Sequence, residues 1–409
     1  MFRAYALVYA LLVMLMISLF SSGLLLMVYL NNKVTNLDNQ LLYKEQLLSD
    51  GMSLFLEIES TYEYNKEIPY SLYQEEKSNL IFEKKKWGLY DVLIEKTDNK
   101  KPVYKNALIG KIASDKMNLS VYLTDNFKPL VLTGNTLING NVELPKNGVQ
   151  QGYLDGKPYE NKKLVNGTVA YSTNQLPIID TDRIMNMYNL SLDNVEYKIE
   201  FDSIEQSFTK PTKVILLEEP STLQNIKMKG NILLLCKHTL RIKNNTHIES
   251  CIIVAPNIKV ENGTTGTMQL FAKDTLWIGN NVTLNYPSIV CVNGSSSKSI
   301  VHISENTKIY GEIYSLYPSQ FRTTYAPQLE TENNSTIMGF CYVQGNAKLE
   351  GVINGTIWTN AFVYNTVQSI YVNYLFNTTI DLTKRNHNFL FSKIVSQPLK
   401  TSNVIQWVN

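Results

Sequence analysis

The sequence predicts a mainly β protein: an N-terminal transmembrane helix and short helical stalk, followed by a right-handed parallel β-helix, or β-solenoid, with an insertion. Three observations carry this expectation. An uncharged apolar run opens the chain, and heptad-spaced apolar residues follow it. Beyond these, short β-branched runs alternate with turns rich in Asn and Gly.

The 409 residues are enough for a sizeable core and for more than one module. The formal net charge is +2, with 18% charged residues and no basic stripe, which argues against nucleic acid as a partner. Tyrosine is plentiful, at 25 residues, and Asn, Thr, Ile and Val recur together, a mix that favours strands and turns over helices. The four cysteines, Cys236, Cys251, Cys291 and Cys341, mostly sit in apolar runs such as Leu233–Cys236 and Cys251–Val254. They lack metal-ligand spacing and read as buried, inert thiols rather than disulfides.

Residues 1–31 form the expected anchor. Ala4–Leu30 carries no charge; at about 1.5 Å per residue a helix of this length reaches roughly 40 Å, more than the roughly 30 Å hydrocarbon core of a bilayer. Apolar residues continue through Leu24–Leu30 beyond Ser21-Ser22-Gly23, so the segment reads as a retained anchor and not a cleaved signal peptide. Arg3 and the amino terminus flank one side and Lys33 the other, which places the N-terminus in the cytoplasm. The pairs Ala6/Ala10 and Ser18/Ser22 are small residues four apart, a spacing that lets a second helix approach and offers a route to self-association. Residues 32–62 continue as an amphipathic stalk. Val34, Leu41, Leu48 and Phe55 fall seven apart, Leu37 and Ile58 fit the second heptad position, and Lys44 and Gly51 break it. The stalk either stands free or packs on its own β domain.

Residues 63–126 read as a small β-rich module, with strands in Asn79–Leu93, Leu108–Ile112 and Leu119–Leu123. A first solenoid coil follows at 127–150, then an insertion or cap at 151–227, the main solenoid at 228–370 and a C-terminal cap at 371–409. The solenoid reading rests on the pattern apolar-x-x-Asn-x-x-apolar. It occurs at Leu132/Asn135/Ile138, Ile242/Asn245/Ile248, Ile278/Asn281/Leu284, Ile303/Asn306/Ile309 and Val343/Asn346/Leu349. The last four starts are 36, 25 and 40 residues apart, which suits one or two coils each. At such a corner Asn tolerates a turn conformation that other residues resist, and stacked Asn side chains can bond along the axis. The rival reading is a β-sandwich with hairpins at Asn139-Gly140 and Asn166-Gly167.

Two resemblances add to this. The apolar helix, amphipathic stalk and β-rich remainder resemble the layout of pilins and pseudopilins of type IV pili and type II secretion systems. That likeness covers about the first 60 residues, and the chain departs from it in having no Gly at a prepilin peptidase site and no Glu near the start of the apolar helix. Stretches such as Cys251–Ile258 and Asn285–Val290 resemble the β-helical segments of bactofilin-type polymer-forming proteins. They resemble more closely those of uncharacterised membrane-anchored proteins of Bacteroidota. The resemblances imply a bacterial inner-membrane protein with its C-terminal domain in the periplasm or outside the cell, and partners among pilin-like or secretion-system subunits.

The search for chemistry yields no catalytic, cofactor or metal residues. Polysaccharide-active β-helices need clustered carboxylates. Here Glu249, Glu312 and Glu350 recur at similar offsets after the repeat, and they read as solvated face residues. Of His238, His247, His302 and His387, alternation points His247 and His302 outward. No nucleophile elbow, zinc-protease, P-loop or dinucleotide motif is present. The expectation is therefore a non-enzymatic assembly protein, with Tyr310, Tyr314 and Tyr317 as a possible docking surface. A surface or periplasmic adhesin or carbohydrate-binding module is the first alternative, and a polysaccharide-active enzyme the second.

Overall fold

The computed structural model describes residues 2–73, 79–113, 117–189, 195–196, 202–317, 325–366, 368–394 and 401–408. The chain divides into two compact units. One comprises Met1–Ile58, Glu67–Phe82 and Glu95–Lys105; the other comprises Glu59–Lys66, Glu83–Ile94 and Asn106–Asn409.

The first unit is built on one continuous helix, Phe2–Ile58. It is long and apolar enough to cross a membrane, and every described side chain from Ala6 to Tyr43 is exposed. Ala6, Ala10, Ser18, Ser22 and Leu30 lie in this exposed part, and the side chain of Ala4 lies outside the described residues. Burial begins at Leu47 and Leu48 and continues at Met52 and Phe55, a helical spacing. Phe55 stacks on Phe82 at 4.6 Å between ring centroids, and strand Ile68–Ser71 pairs antiparallel with Asn79–Phe82. The two readings of the stalk thus each hold for part of it: Val34, Leu37 and Leu41 are exposed, whereas Leu48 and Phe55 pack on the unit's own strands. Gly51 breaks the heptad for a steric reason. A Cβ there would lie 2.0 Å from Glu95 Oε1 and 2.4 Å from Leu80 Cδ1.

The second unit is a closed, barrel-like sheet of mostly parallel strands. Its longest members are Lys227–Cys236, His247–Val260, Thr265–Ile278, Thr283–Asn293, Lys308–Leu316, Thr336–Leu349 and Val352–Asn365, and each pairs in parallel with the next. Register carries like residues onto like. One inward column runs Ile215, Leu234, Ile253, Leu270, Val290, Ile313, Cys341, Ile357, Val121, Val142, and its last register partner, Val169, is exposed. A second runs Met228, Ile248, Gly266, Leu284, Ile309, Ile337, Ile353, Ile380, Ile138. Parallel sheets buried on both faces read as continuous β-branched runs because neither side meets water, and that is the texture of Cys251–Val254 and Ile289–Val292.

Three of the sequence repeats run from a third column, Leu223, Ile242, Val260, Ile278, Ile303, Thr331, Leu349, to the second at one corner. Asn281 and Asn306 sit there with φ of +57° each, and Gly263 and Asn334 take the equivalent place at +76° and +58°. Asn245 keeps an ordinary φ, yet its Nδ2 donates to Asn225 Oδ1 at 2.6 Å, the expected bond between stacked Asn side chains. At the earlier repeat Gly134 holds the left-handed position and Asn135 follows it. Asn346 is displaced from this corner: it lies inside strand Thr336–Leu349, at a register shift.

The ends of the stack correct the expected boundaries. Leu119–Leu123 does not belong to the small β module, since it pairs in parallel with Val352–Asn365 through Ile357↔Val121. Much of the expected insertion also joins the stack: Ser203–Gln206 pairs with Lys227–Gly230, and Lys213–Leu217 with Ile232–Cys236. Part of the C-terminal segment also joins the stack, where Tyr374–Phe376 and Thr379–Asp381 pair in parallel with Leu130–Thr133 and Leu137–Asn139. The physical reason is shared. A strand edge left open by one turn is closed by whichever segment carries matching apolar alternation, irrespective of its place in the chain.

A second apolar layer covers one outer face of the stack. Trp87, Leu89, Tyr90, Val92, Leu108, Ile179, Ile184, Met187, Phe391 and Val408 cluster with the outward residues Ile252, Val254, Phe271, Ile289, Tyr314, Phe340, Tyr342 and Trp358. Strand Ser402–Val408 reaches this layer by antiparallel pairing with Asn106–Lys111.

Candidate binding groove and buried polar networks

The outer face is covered, and its polar residues act as fasteners. Gln269 and Glu312 stand in the column Leu233, Ile252, Gln269, Ile289, Glu312, Phe340, Thr356. Gln269 Oε1 accepts from Leu89 N at 2.9 Å, and its Nε2 donates to Trp87 O at 3.2 Å, so one amide closes both backbone groups of a turn. That turn needs Gly88, whose φ is +58° and whose Cβ would fall 2.0 Å from Gln269 Oε1. Glu312 accepts from Tyr90 Oη at 3.0 Å, Ser392 N at 2.6 Å, Ser392 Oγ at 2.7 Å and Tyr314 Oη. Burial pushes its carboxyl above the usual range although these four donors oppose the shift. The sequence reading of Glu312 as a solvated face residue is thereby corrected: it is wholly buried.

A larger charged network lies beside it. Asp91 pairs with Arg183 Nη2 at 2.7 Å and Lys393 Nζ at 2.6 Å, and accepts from Tyr64 Oη at 3.0 Å. Burial would raise Asp91, but the two cations beside it hold it below the usual carboxylate range. Lys393 continues to Glu59 at 2.7 Å, which also holds Lys111 at 2.9 Å and Lys84 at 3.3 Å and accepts from Ser402 Oγ at 2.6 Å. Burial raises Glu59 too, and the lysines and serine outweigh it to bring the carboxyl to about 2. Both carboxylates are spent on ion pairs, in the arrangement of a structural lock.

Of the other residues singled out from sequence, Tyr314 and Tyr317 are buried and Tyr310 half-buried, so they do not form an exposed docking surface. Tyr314 points outward from its strand, and the covering layer buries it. His302 also points outward, and its ring lies 3.7 Å from Trp277 in a stack, with Nδ1 3.3 Å from Glu330 and Nε2 3.1 Å from Glu332. His302, first among its partners, holds the Glu330 carboxyl at about 2, with Lys348 adding to it at 2.8 Å. Glu350 pairs with Lys348 at 3.3 Å. Glu249, Glu312 and Glu350 therefore occupy three different environments and form no column.

Among the described residues no group of three His, Cys, Asp or Glu is placed to hold a metal ion. The four thiols are buried and unbridged, and burial pushes Cys291 up to about 12, away from reactivity.

One open polar feature of this unit, among the described residues, is a groove beside the strand row. Two clefts, about 190 and 430 Å³, share Lys229, Glu249 and Gln406 in their linings. The smaller adds Glu205, Gln206 and Trp407; the larger adds Lys227, His247, Thr267, Asn285 and Tyr286. Register explains the row, because Lys229, Glu249 and Thr267 are successive partners, as are Lys227 and His247. Lys229 and Glu249 pair at 3.1 Å, both partly exposed. Trp407 is 52% exposed.

The chain matches no family model, no curated protein and no solved structure. Sequence reasoning found Glu249 and His247 but missed Trp407 and Gln406, which reach the groove from the far end of the chain. Nothing in the local pattern of Ser402–Val408 announces that neighbour.

Proposed function

We propose that the protein is a non-enzymatic, single-pass assembly protein of the bacterial cell envelope. In this reading its N-terminus is cytoplasmic, and a right-handed β-solenoid head faces the periplasm or the exterior. The observation that carries the reading is the unbroken exposure of Ala6–Tyr43 on all sides of a helix whose apolar part is 0% buried. A helix apolar on all sides is stable only in lipid or among other helices. Below it, Leu47–Phe55 is fixed on its own strands, so the helix leaves its unit as one rigid rod. A rod of this kind suits a minor-pilin- or pseudopilin-like subunit, packing its anchor among neighbouring helices through the Ala6/Ala10 and Ser18/Ser22 faces. The parallel stack, with corners at Asn281, Asn306 and Asn334, supports the solenoid reading.

The test is crosslinking of the full-length protein in its native membrane, compared with a chain lacking Met1–Asn32. Recovery of pilin-like or secretion subunits with the full-length chain alone supports the reading. Recovery of none by either form overturns the assembly role.

A further inference from the structure

We infer that the groove between Trp407 and Asn285 binds a neutral, linear oligosaccharide. The inference stands on the groove's own chemistry and is independent of the membrane anchor. A sugar ring offers an apolar face of C–H bonds and an edge of paired hydroxyls. It is recognised by an exposed aromatic ring for the face, and by carboxylates and amides for the edge. Trp407 supplies the exposed indole in the smaller cleft, with Glu205, Gln206, Gln406 and Glu249 in the same lining. Glu249, Thr267 and Asn285 continue the polar row in the larger one.

Three features select the ligand class. The larger cleft, at about 430 Å³, is within the range of small-ligand sites. The two clefts are joined by shared residues, so the ligand is elongated and spans both. Charges in the lining nearly cancel: Lys229 is neutralised by Glu249, and Lys227 balances Glu205. A nucleic acid or a polyuronate would need a surplus of cations here. A hydrophobic peptide would need an apolar lining throughout, whereas Lys227, Lys229, Glu249, Thr267, Asn285 and Gln406 make the larger cleft mainly polar. The neighbouring strands keep the row in register, so a sugar chain meets donors and acceptors already fixed in place.

The experiment titrates the detergent-solubilised full-length protein with neutral oligosaccharides, namely tetra- to hexasaccharides of β-1,4-glucan, mannan and chitin, and follows tryptophan fluorescence and calorimetry. The expected result is saturable binding to at least one of them, weakened about tenfold or more in Trp407→Ala and several-fold in Glu249→Gln, with Trp407→Phe intermediate. Both sites are on the surface, so thermal melts of the variants should match the parent. Three results each overturn the inference: no binding to any of the three glycans, binding indifferent to both substitutions, or binding confined to an anionic polysaccharide control.

Discussion

The two faces of the same parallel strands are buried by opposite strategies. Inside the stack, every position of the column from Ile215 to Val142 is aliphatic or Cys, and from Leu234 to Val142 each residue lies between near-copies of itself on the neighbouring strands. The covered outer face instead carries Phe271, Tyr314, Tyr342 and Trp358 together with Gln269 and Glu312. A repeating interior needs only repeated volume. The outer face meets a layer that does not repeat, so it fills uneven gaps with aromatic rings and fixes the alignment of the cover with directional bonds. Shape alone suffices in the first case, and polar pairing sets the register in the second.

Substitutions that probe the two strategies should separate in size and in kind. Asp91→Ala should be the most damaging, losing about 3–5 kcal/mol, because it leaves Arg183 and Lys393 buried without their shared partner; urea unfolding would measure it. A loss under about 1 kcal/mol would mean that the cover is held by apolar contact alone. Leu270→Ala, in the inner column, should cost about 3 kcal/mol by opening a cavity, with no change in the pH dependence of stability. If the variant acquires a pH dependence, the inner face is not purely steric.

Glu95 sharpens the comparison from the first unit. Its carboxyl is buried with neither oxygen hydrogen-bonded, and burial, partly offset by Lys105, raises it to about 9. A carboxyl whose folded value lies above its unfolded value binds a proton on folding, so it lowers stability progressively as pH rises from about 4.5 to about 9. Glu95→Gln should remove that slope and stabilise the protein by on the order of 2–3 kcal/mol at pH 7. Thermal melts of both forms between pH 5 and pH 9 would show curves that converge at the acid end; parallel curves would refute the assignment.

Much of this architecture was legible because its signals are local. In Ile278/Asn281/Leu284 and Ile303/Asn306/Ile309 the left-handed Asn and its flanking inward residues fall within one short window. The same corner recurs at Val260–Gly266 and Thr331–Ile337 without the sequence pattern. There Gly263 replaces Asn in one, and Gly266 or Thr331 replaces an apolar end, substitutions the geometry accepts freely. Thr264, Thr307 and Ser335 follow the left-handed residue; Thr264 and Ser335 bond backward across their own corner to Glu261 O and Glu332 O, and Thr307 donates to Gly279 O beside the preceding corner. Including that hydroxyl in the pattern would have recovered both. The role of Tyr314 and Glu312 was not legible, because period-two alternation reports which side of a strand a residue faces and is silent about what else lies there. The groove was legible only on its strand side, for Gln406 and Trp407 arrive by a pairing far apart in sequence.

That distance has a consequence for how the chain is made. Thr356 Oγ1 donates to Leu119 O across 237 residues, where the first turn of the stack rests on the last. Leu119–Leu123 therefore emerges from the ribosome long before its neighbour exists. At roughly 5–20 residues per second, it waits on the order of ten to fifty seconds for that neighbour to be synthesised. During that interval Val121 and Leu123 belong to an unfinished edge, and a nascent chain cannot complete this unit in the order in which it is born. Assembly closes only when late-made sequence returns to early-made sequence, so truncation near residue 350 would strip the first turn of its support as well as remove the last.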